Sequence, residues 1–429
     1  MKKTDIVYAT PSQVKVVPHF DLMSHPRRCP WYLLPVEWLL ALPEAIHIVR
    51  KIHKVNMEQF KSPYLILGNH NSFFDFKVLT KAIFPHPSTY VVAIDGFIGL
   101  EKLMRKVGCF GKRKFVNDIV LVRHIAYSLK KLGVNCTIYP EARYSLVGTT
   151  AILPESLGKM IKMLKMPVVT LITNGNHLRQ PLWNQSHKRK LKTEATMTGL
   201  FSLEQIEKMS VDEINAKLKE AFFYDDFAYQ KANKISITDP HRAEGLEHVL
   251  YRCPTCGAEF MMESDHDRLW CNHCHKEYIM SEYGELLAVD GANTFTHIPD
   301  WYEWEREMVR QEIIKGKYYI DIPVVIDSLP SANGFYRFGE GRLTHGEDGF
   351  VLSGNFRGEP FVFRRRVADN YSVHIEYNYA NKGNFVSISD NDDTYYLFPQ
   401  VTPDIVTKIH FAVEELHKIY QVQEKTDEK

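Results

Sequence analysis

The chain of 429 residues has no run of ~20 apolar residues that could cross a bilayer as a helix. Its start, Met1-Lys-Lys-Thr-Asp-Ile6, leads into no apolar secretory core. Repeats and low-complexity tracts are missing, and with 45% hydrophobic and 24% charged residues the composition is that of folded domains. No Gly-x-Ser-x-Gly elbow occurs, so the usual serine nucleophile of an α/β hydrolase is absent. Excess charge is absent too, the formal net charge being +1. Of seven cysteines, Cys29, Cys109 and Cys136 are scattered and the other four are grouped by spacing. That pattern argues against a disulfide framework and for metal ligation in a reducing compartment. The expectation is a cytoplasmic protein of two or three domains.

The neutral total hides two basic clusters, Lys102 to Lys114 and Lys188 to Lys192. Each suits an anionic substrate or membrane surface, or a solvated face. The most apolar long segment, about 29–50, is interrupted by Pro35, Glu37, Pro43 and Glu44. With Trp31 and Trp38 beside Arg27, Arg28, Arg50 and Lys51, it reads either as a helix or hairpin lying in a membrane interface or as a piece packed on its own domain.

The stretch from Tyr64 to Asp75 is the one around which the first half of the chain is organised. An apolar run ends in Gly68 and then presents Asn69, His70, Asn71, Ser72 and Asp75, which predicts a buried strand emptying into a polar turn and a helix start. Further strands are predicted at 89–94, 134–140 and 166–172, with helices between them, hence an α/β sheet with polar residues gathered at strand ends. A histidine backed by a carboxylate can take a proton from a hydroxyl, because the carboxylate fixes the ring tautomer and stabilises the imidazolium. His70 and Asp75 are therefore the candidate catalytic pair, with Asn69 and Ser72 to orient reacting groups. Glu141 and Arg143, at another strand end, are candidates for binding an acceptor, and Lys112 and Arg113 offer charge-assisted bonds to a phosphate.

Helices are expected from Ser202 to about Lys231, and a polar connector sets a domain boundary near residue 235. Cys253-Pro-Thr-Cys256 and Cys271-Asn-His-Cys274 are separated by fourteen residues. Two such knuckles place four thiolates about one zinc, so residues 248–290 read as a zinc ribbon whose structural site uses Cys253, Cys256, Cys271 and Cys274. His266, His273 and His275 are read as non-ligands. Glu259, Glu263, Asp265 and Asp267 against Arg268 leave the ribbon no phosphate-tracking surface, so no nucleic-acid partner is expected. Beyond an amphipathic helix at 301–314 the period changes to two. Short strands parted by turns such as Gly339-Glu-Gly341, then a helix over 403–420, give a β-rich domain at 300–425 that resembles a pleckstrin-homology-like barrel with its C-terminal helix.

Asn69-His-Asn-Ser-Phe-Phe-Asp75 resembles the His-x-x-x-x-Asp signature of the glycerolipid acyltransferases, the family that includes 1-acyl-glycerol-3-phosphate acyltransferase. Gly108-Cys-Phe-Gly-Lys-Arg113 is similar to the second signature, Tyr139-Pro-Glu-Ala-Arg-Tyr-Ser145 to the third, Phe-Pro-Glu-Gly-Thr-Arg-Ser, and Met166-Pro-Val-Val-Thr170 to the fourth. In the third, Ala142 replaces glycine, Arg143 stands at the threonine, and Tyr144 stands at the arginine. The resemblance covers about 60–200. It implies an acyltransferase-like mixed sheet flanked by helices within residues 1–235, followed by the ribbon and the β-rich domain. It also implies an O-acyltransferase in which His70 is the base and Asp75 orients it. The donor would be acyl-CoA or acyl-carrier protein, the acceptor a lysophospholipid, first of all 1-acyl-glycerol 3-phosphate, and the setting the inner face of a membrane. The alternatives are an acceptor without phosphate and an inactive lipid- or protein-binding module.

Overall fold

The computed structural model describes residues 5–116 and 118–427. The first strand, β1 (Ile6–Tyr8), does not join the sheet that comes next in sequence. That sheet has seven strands: β2 (Val49–Val55), β3 (Leu65–Gly68), β4 (Ser88–Ala93), β5 (Cys109–Lys112), β6 (Asn135–Ile138), β7 (Val168–Asn174) and β8 (Thr193–Phe201), in the order β2-β8-β7-β3-β6-β4-β5. All pairings are parallel except β7 with β8, so the sheet is mixed.

β3 is buried on both faces, as a central strand must be in such a sheet. Leu65 and Leu67 join one apolar layer with the helices Ile119–Lys130, Ser156–Leu164 and Val211–Ala221. Ile66 joins the other, under the helix Asp75–Ile83 and against Phe335, Phe385 and Phe398 of the C-terminal region. From β3 the chain skips a place to β4, and β6 later fills the gap. The C-terminal ends of β3 and β6 therefore open at a topological switch point, where such sheets leave a crevice.

Four antiparallel strands form the second sheet: β9 (Met262–Asp265), β10 (Arg268–Cys271), β11 (Glu277–Met280) and β12 (Leu286–Ala288). The helix Ile298–Ile314 leads to the last sheet, β13 (Ile320–Ser328), β14 (Phe335–Gly346), β15 (Gly349–Phe356), β16 (Glu359–Arg365), β17 (His374–Glu376), β18 (Phe385–Ser389) and β19 (Thr394–Pro399). Its order is β16-β15-β14-β13-β19-β18-β17, and the helix Ile405–Asp427 packs against it. One apolar core runs from Leu269 and Tyr278 of the four-stranded sheet through Trp301 to Phe411 and Leu416 of the terminal helix.

Several elements differ from the sequence expectation. β1 lies in a polar stretch with scattered prolines that carries no strand pattern, yet it pairs in parallel with Phe335–Arg337 of β14. Gly339-Glu-Gly341 read as a turn but lies inside β14, beside a register shift between Ile326 and Asp327 of β13. Gly339 has φ +129, and a Cβ on Gly341 would stand 2.6 Å from Ile326 Cδ1. These glycines make a bulged, closely approached strand rather than a reversal. The segment 31–49 is largely one helix, Leu34–Ile48, with Pro43 inside it.

Candidate active site

β3 delivers His70 to the switch point, and the turn behind it is fixed by side chains of the turn itself. A Cβ on Gly68 would come within 2.8 Å of the Tyr139 ring, so glycine is what lets that ring lie against the strand end. Asp75 opens the next helix and is buried. Its Oδ2 accepts the backbone N–H groups of Asn71 (2.6 Å) and Ser72 (2.9 Å) and lies 3.1 Å from His70 Nδ1, while Oδ1 accepts from Asn176 Nδ2 at 2.6 Å. A carboxylate held this way at a helix start is oriented before any ligand arrives. The imidazole is packed between two phenols, with ring centroids 4.2 Å from Tyr139 and 4.4 Å from Tyr144. With Nδ1 turned to Asp75, Nε2 is the nitrogen left to take a proton.

The loop after β6 completes the support. Glu141 is buried, and its carboxylate accepts the His70 N–H at 2.8 Å and the Ala151 N–H at 2.9 Å. Burial pushes its carboxyl up to about 7, against the effect of those two bonds. Ser145 N donates to the His70 carbonyl at 2.8 Å. Ala142 adopts φ +56, a conformation that costs an alanine roughly 1 kcal/mol and that glycine would take freely.

His70 lines a cavity of about 1530 Å³. Its walls are mainly apolar: Leu33, Val36 and Leu40 of the N-terminal helix region, Phe73 and Phe76 beside the turn after β3, and Leu103, Val122 and Met160. Leu40 and Phe73 are among the more exposed large apolar side chains of the protein, together with Trp31 and Leu39. No helix among the described residues is long and apolar enough to cross a membrane.

The other expected site residues divide. Ser72 lines the cavity, and its hydroxyl accepts from Phe74 N at 3.2 Å. Asn69 turns away from it and laces β3 to β7 through Thr173, with bonds of 2.8 to 3.0 Å. Lys112 reaches the cavity but donates to the Val116 carbonyl at 2.7 Å, and burial pushes its ammonium down to about 8, partly opposed by Asp118. Arg113 is buried away from His70, with its guanidinium on the carbonyls of Leu329 (3.0 Å), Pro330 (2.9 Å) and Asn391 (3.3 Å). Arg143 is likewise buried and turned to the terminal helix, 3.4 Å from Glu414 and 3.2 Å from His410 Nε2. Glu141 orients the His70 turn rather than facing the cavity. Two partners escape the sequence reading: Asn176, at the polar end of β7, and Tyr224, whose hydroxyl donates to Asn71 Oδ1 at 2.9 Å and which no motif marks.

A second constellation lies in the four-stranded sheet. The Sγ atoms of Cys253, Cys256, Cys271 and Cys274 all lie within 4.8 Å of one another, with 3.6 Å for Cys253–Cys274 and 3.8 Å for Cys256–Cys271. A tetrahedron with metal–sulfur bonds of ~2.3 Å has edges of ~3.8 Å, so the donor set fits one four-coordinate metal ion. Two tight turns present the thiols, closed by Gly257 N to Cys253 O (2.9 Å) and His275 N to Cys271 O (2.8 Å).

The fold and site together define an α/β protein with a carboxylate-backed histidine on the wall of an apolar cavity. No protein-family model matches the chain, and no curated protein matches it. Among solved structures, the 1-acyl-sn-glycerophosphate (LPA) acyltransferase PlsC from Thermotoga maritima is similar over part of the chain, with 15% identity and a TM-score of 0.31, covering 44% of this chain and 79% of that one. A likeness of that size is partial and concerns the course of the backbone.

Proposed function

We propose that the protein is an O-acyltransferase that moves a fatty acyl group from acyl-CoA or acyl-carrier protein to a lipid hydroxyl. The observation that carries this reading is the His70–Asp75 pair on the wall of a large apolar cavity. His70 Nε2 takes the proton of the acceptor hydroxyl as its oxygen bonds to the thioester carbonyl carbon. The carbon–sulfur bond then breaks, and the thiolate leaves with that proton. Phe76, Leu103 and Met160 would hold the acyl chain, and water is kept from the thioester by the same apolar walls.

The acceptor suggested by the sequence pattern is a lysophospholipid, 1-acyl-glycerol 3-phosphate. A second reading, an acceptor without phosphate, is favoured by the placement of Arg113 and Arg143, both committed to buried partners. The exposed Leu40 and Phe73 on the cavity wall, with exposed Trp31, Leu39, Arg27, Arg28 and Arg50 of the N-terminal segment, support a peripheral position on the inner face of a membrane. Zinc is the metal that four thiolates in a closed tetrahedral set favour, in a structural role. An antiparallel run of strands from β13 to β19 with the terminal helix against it supports a pleckstrin-homology-like reading of the last sheet, and a cytoplasmic location agrees with free thiols at Cys29, Cys109 and Cys136.

The test is a mass-spectrometric screen with one long-chain acyl-CoA and lysophosphatidate, glycerol 3-phosphate and neutral lysolipids as acceptors. Ester product with at least one lipid acceptor is expected. Tight lipid binding with no product from any of them would favour the binding-module reading instead.

A further inference from the structure

The cavity that holds His70 does not stop at the seven-stranded sheet. Its far wall comes from the last sheet, through Tyr371, Glu376, Tyr377 and the loop 378–381. Tyr379 pins that loop to the first sheet by donating its hydroxyl to Asp95 at 3.0 Å. Asn378, Ala380 and Asn381 have φ of +46, +50 and +60, so the chain holds three unfavourable left-handed residues in order to turn into the cavity.

The chemistry of this wall is not that of a phosphate site. Arg113 and Arg143 are sealed in other bonds. Lys112, Lys114 and Lys159 do reach the cavity, but Glu37, Asp95, Asp118 and Glu376 stand on the same walls. A phosphate dianion brought here would meet these carboxylates without a compensating excess of cations. Tyr144, whose ring touches His70, also lines the cavity, and its phenol lies in the field of Glu376 and Asp95. Glu376 Oε1 lies 3.0 Å from His374 Nε2, and a phenol that donates with a carboxylate that still has lone pairs to accept are what a vicinal pair of hydroxyls needs, one to receive and one to give.

We propose that Tyr144 and Glu376 form the acceptor head-group subsite, that the C-terminal sheet thereby sets specificity, and that the subsite takes an uncharged, hydroxyl-bearing glycerol head group rather than a phosphate monoester. Glu376 accepts from the hydroxyl that does not react, and Tyr144 donates to the glycerol oxygen beside the one that His70 deprotonates. This rests on the acyl-transfer reading above.

The test uses the full chain, one long-chain acyl-CoA, and monoacylglycerol and lysophosphatidate of equal chain length, following thiol release and ester product. The wild type should prefer monoacylglycerol by about 10-fold or more in kcat/KM, the effect of one or two charge-assisted bonds. Glu376→Gln and Tyr144→Phe should each raise the KM for monoacylglycerol about 10-fold while kcat changes only a few-fold, with unchanged Tm; phenylalanine keeps the ring against His70, so a purely structural role would leave KM alone. A wild-type preference for lysophosphatidate, or an unaltered KM in both variants, overturns the assignment while acyl transfer stands. No thiol release with either acceptor, or with any other lipid hydroxyl, overturns acyl transfer itself and this subsite with it.

Discussion

Glu141 and Glu414 are both sealed inside the protein, and they are held in opposite ways. At Glu141 burial dominates, and the amides of Ala151 and His70 offset only part of it, so its carboxyl is pushed up to about 7. At Glu414 burial acts in the same direction, but His410, Arg306, Arg143 and the Ser372 hydroxyl outweigh it and hold the carboxyl well below the usual range. Arg143 is only two residues from Glu141, yet its guanidinium lies against Glu414. Charge thus ties the loop after β6 to the terminal helix, while Glu141 is held by two backbone N–H groups. A closed network of ions marks assembly here, whereas His70 lines the cavity.

The largest effect should come from the four-cysteine site, whose neighbour Glu259 meets Lys408 of the Glu414 helix at 2.8 Å, the same ammonium reaching Glu312 of the helix Ile298–Ile314 at 2.8 Å. Structural metal sites contribute on the order of 10 kcal/mol, about as much as a domain's whole stability. Cys271→Ala is expected to lose the bound metal and the hydrogen-exchange protection of residues 250–316; full protection without metal would break the link between the two regions. Asp75→Asn comes next. With the ring tautomer no longer fixed, kcat should fall about 10³-fold or more, beside a stability cost of ~1–3 kcal/mol for an amide set against Asn176 Nδ2 or the turn N–H groups, and a loss of kcat under tenfold would mean that Asp75 serves the turn only.

Glu414→Ala strands Arg143 and Arg306 in the interior and should destabilise the fold by ~3–5 kcal/mol in denaturant unfolding. Glu141→Gln keeps one acceptor and sets an amide against the other N–H, so its cost should be ~1–3 kcal/mol. Their pH dependence runs in opposite directions. Glu414, lowered in the fold, adds stability that is present above the ordinary glutamate range of about 4.3 and is lost as pH falls below it. Glu141, raised in the fold, binds its proton more tightly when folded, so its contribution declines as pH rises from about 4.3 towards 7. Tm measured from pH 3 to 8 should show a flattened acid limb in Glu414→Gln and a cost of Glu141→Gln that shrinks with rising pH. Parallel profiles for the two variants would erase the contrast.

How much of this was legible in the sequence depended on how local the cause was. Tyr64 to Asp75 could be read because strand, turn and helix start lie in one short stretch, and the four cysteines because their spacing carries the geometry. Arg113 and Arg143 could not be placed, since their partners at Leu329 and Glu414 are 216 and 271 residues away. β8 escaped although its burial alternates strictly along Thr193–Phe201, because its neighbours in the sheet, β2 and β7, are set by topology rather than by adjacency. β14 was hidden by glycines that serve a bulge. The contribution of Glu376 and Tyr379 to the cavity arises from the docking of the last sheet on the first, which no local pattern encodes.

The central claim is that His70 activates an acceptor hydroxyl against an acyl thioester. Its most direct test is thiol release from a long-chain acyl-CoA, with the ester product identified by mass spectrometry, in the wild type and in His70→Ala at equal Tm and metal content. The expected result is acceptor-dependent release in the wild type and a fall of about 10³-fold or more in the variant. Equal release before and after the substitution would contradict it.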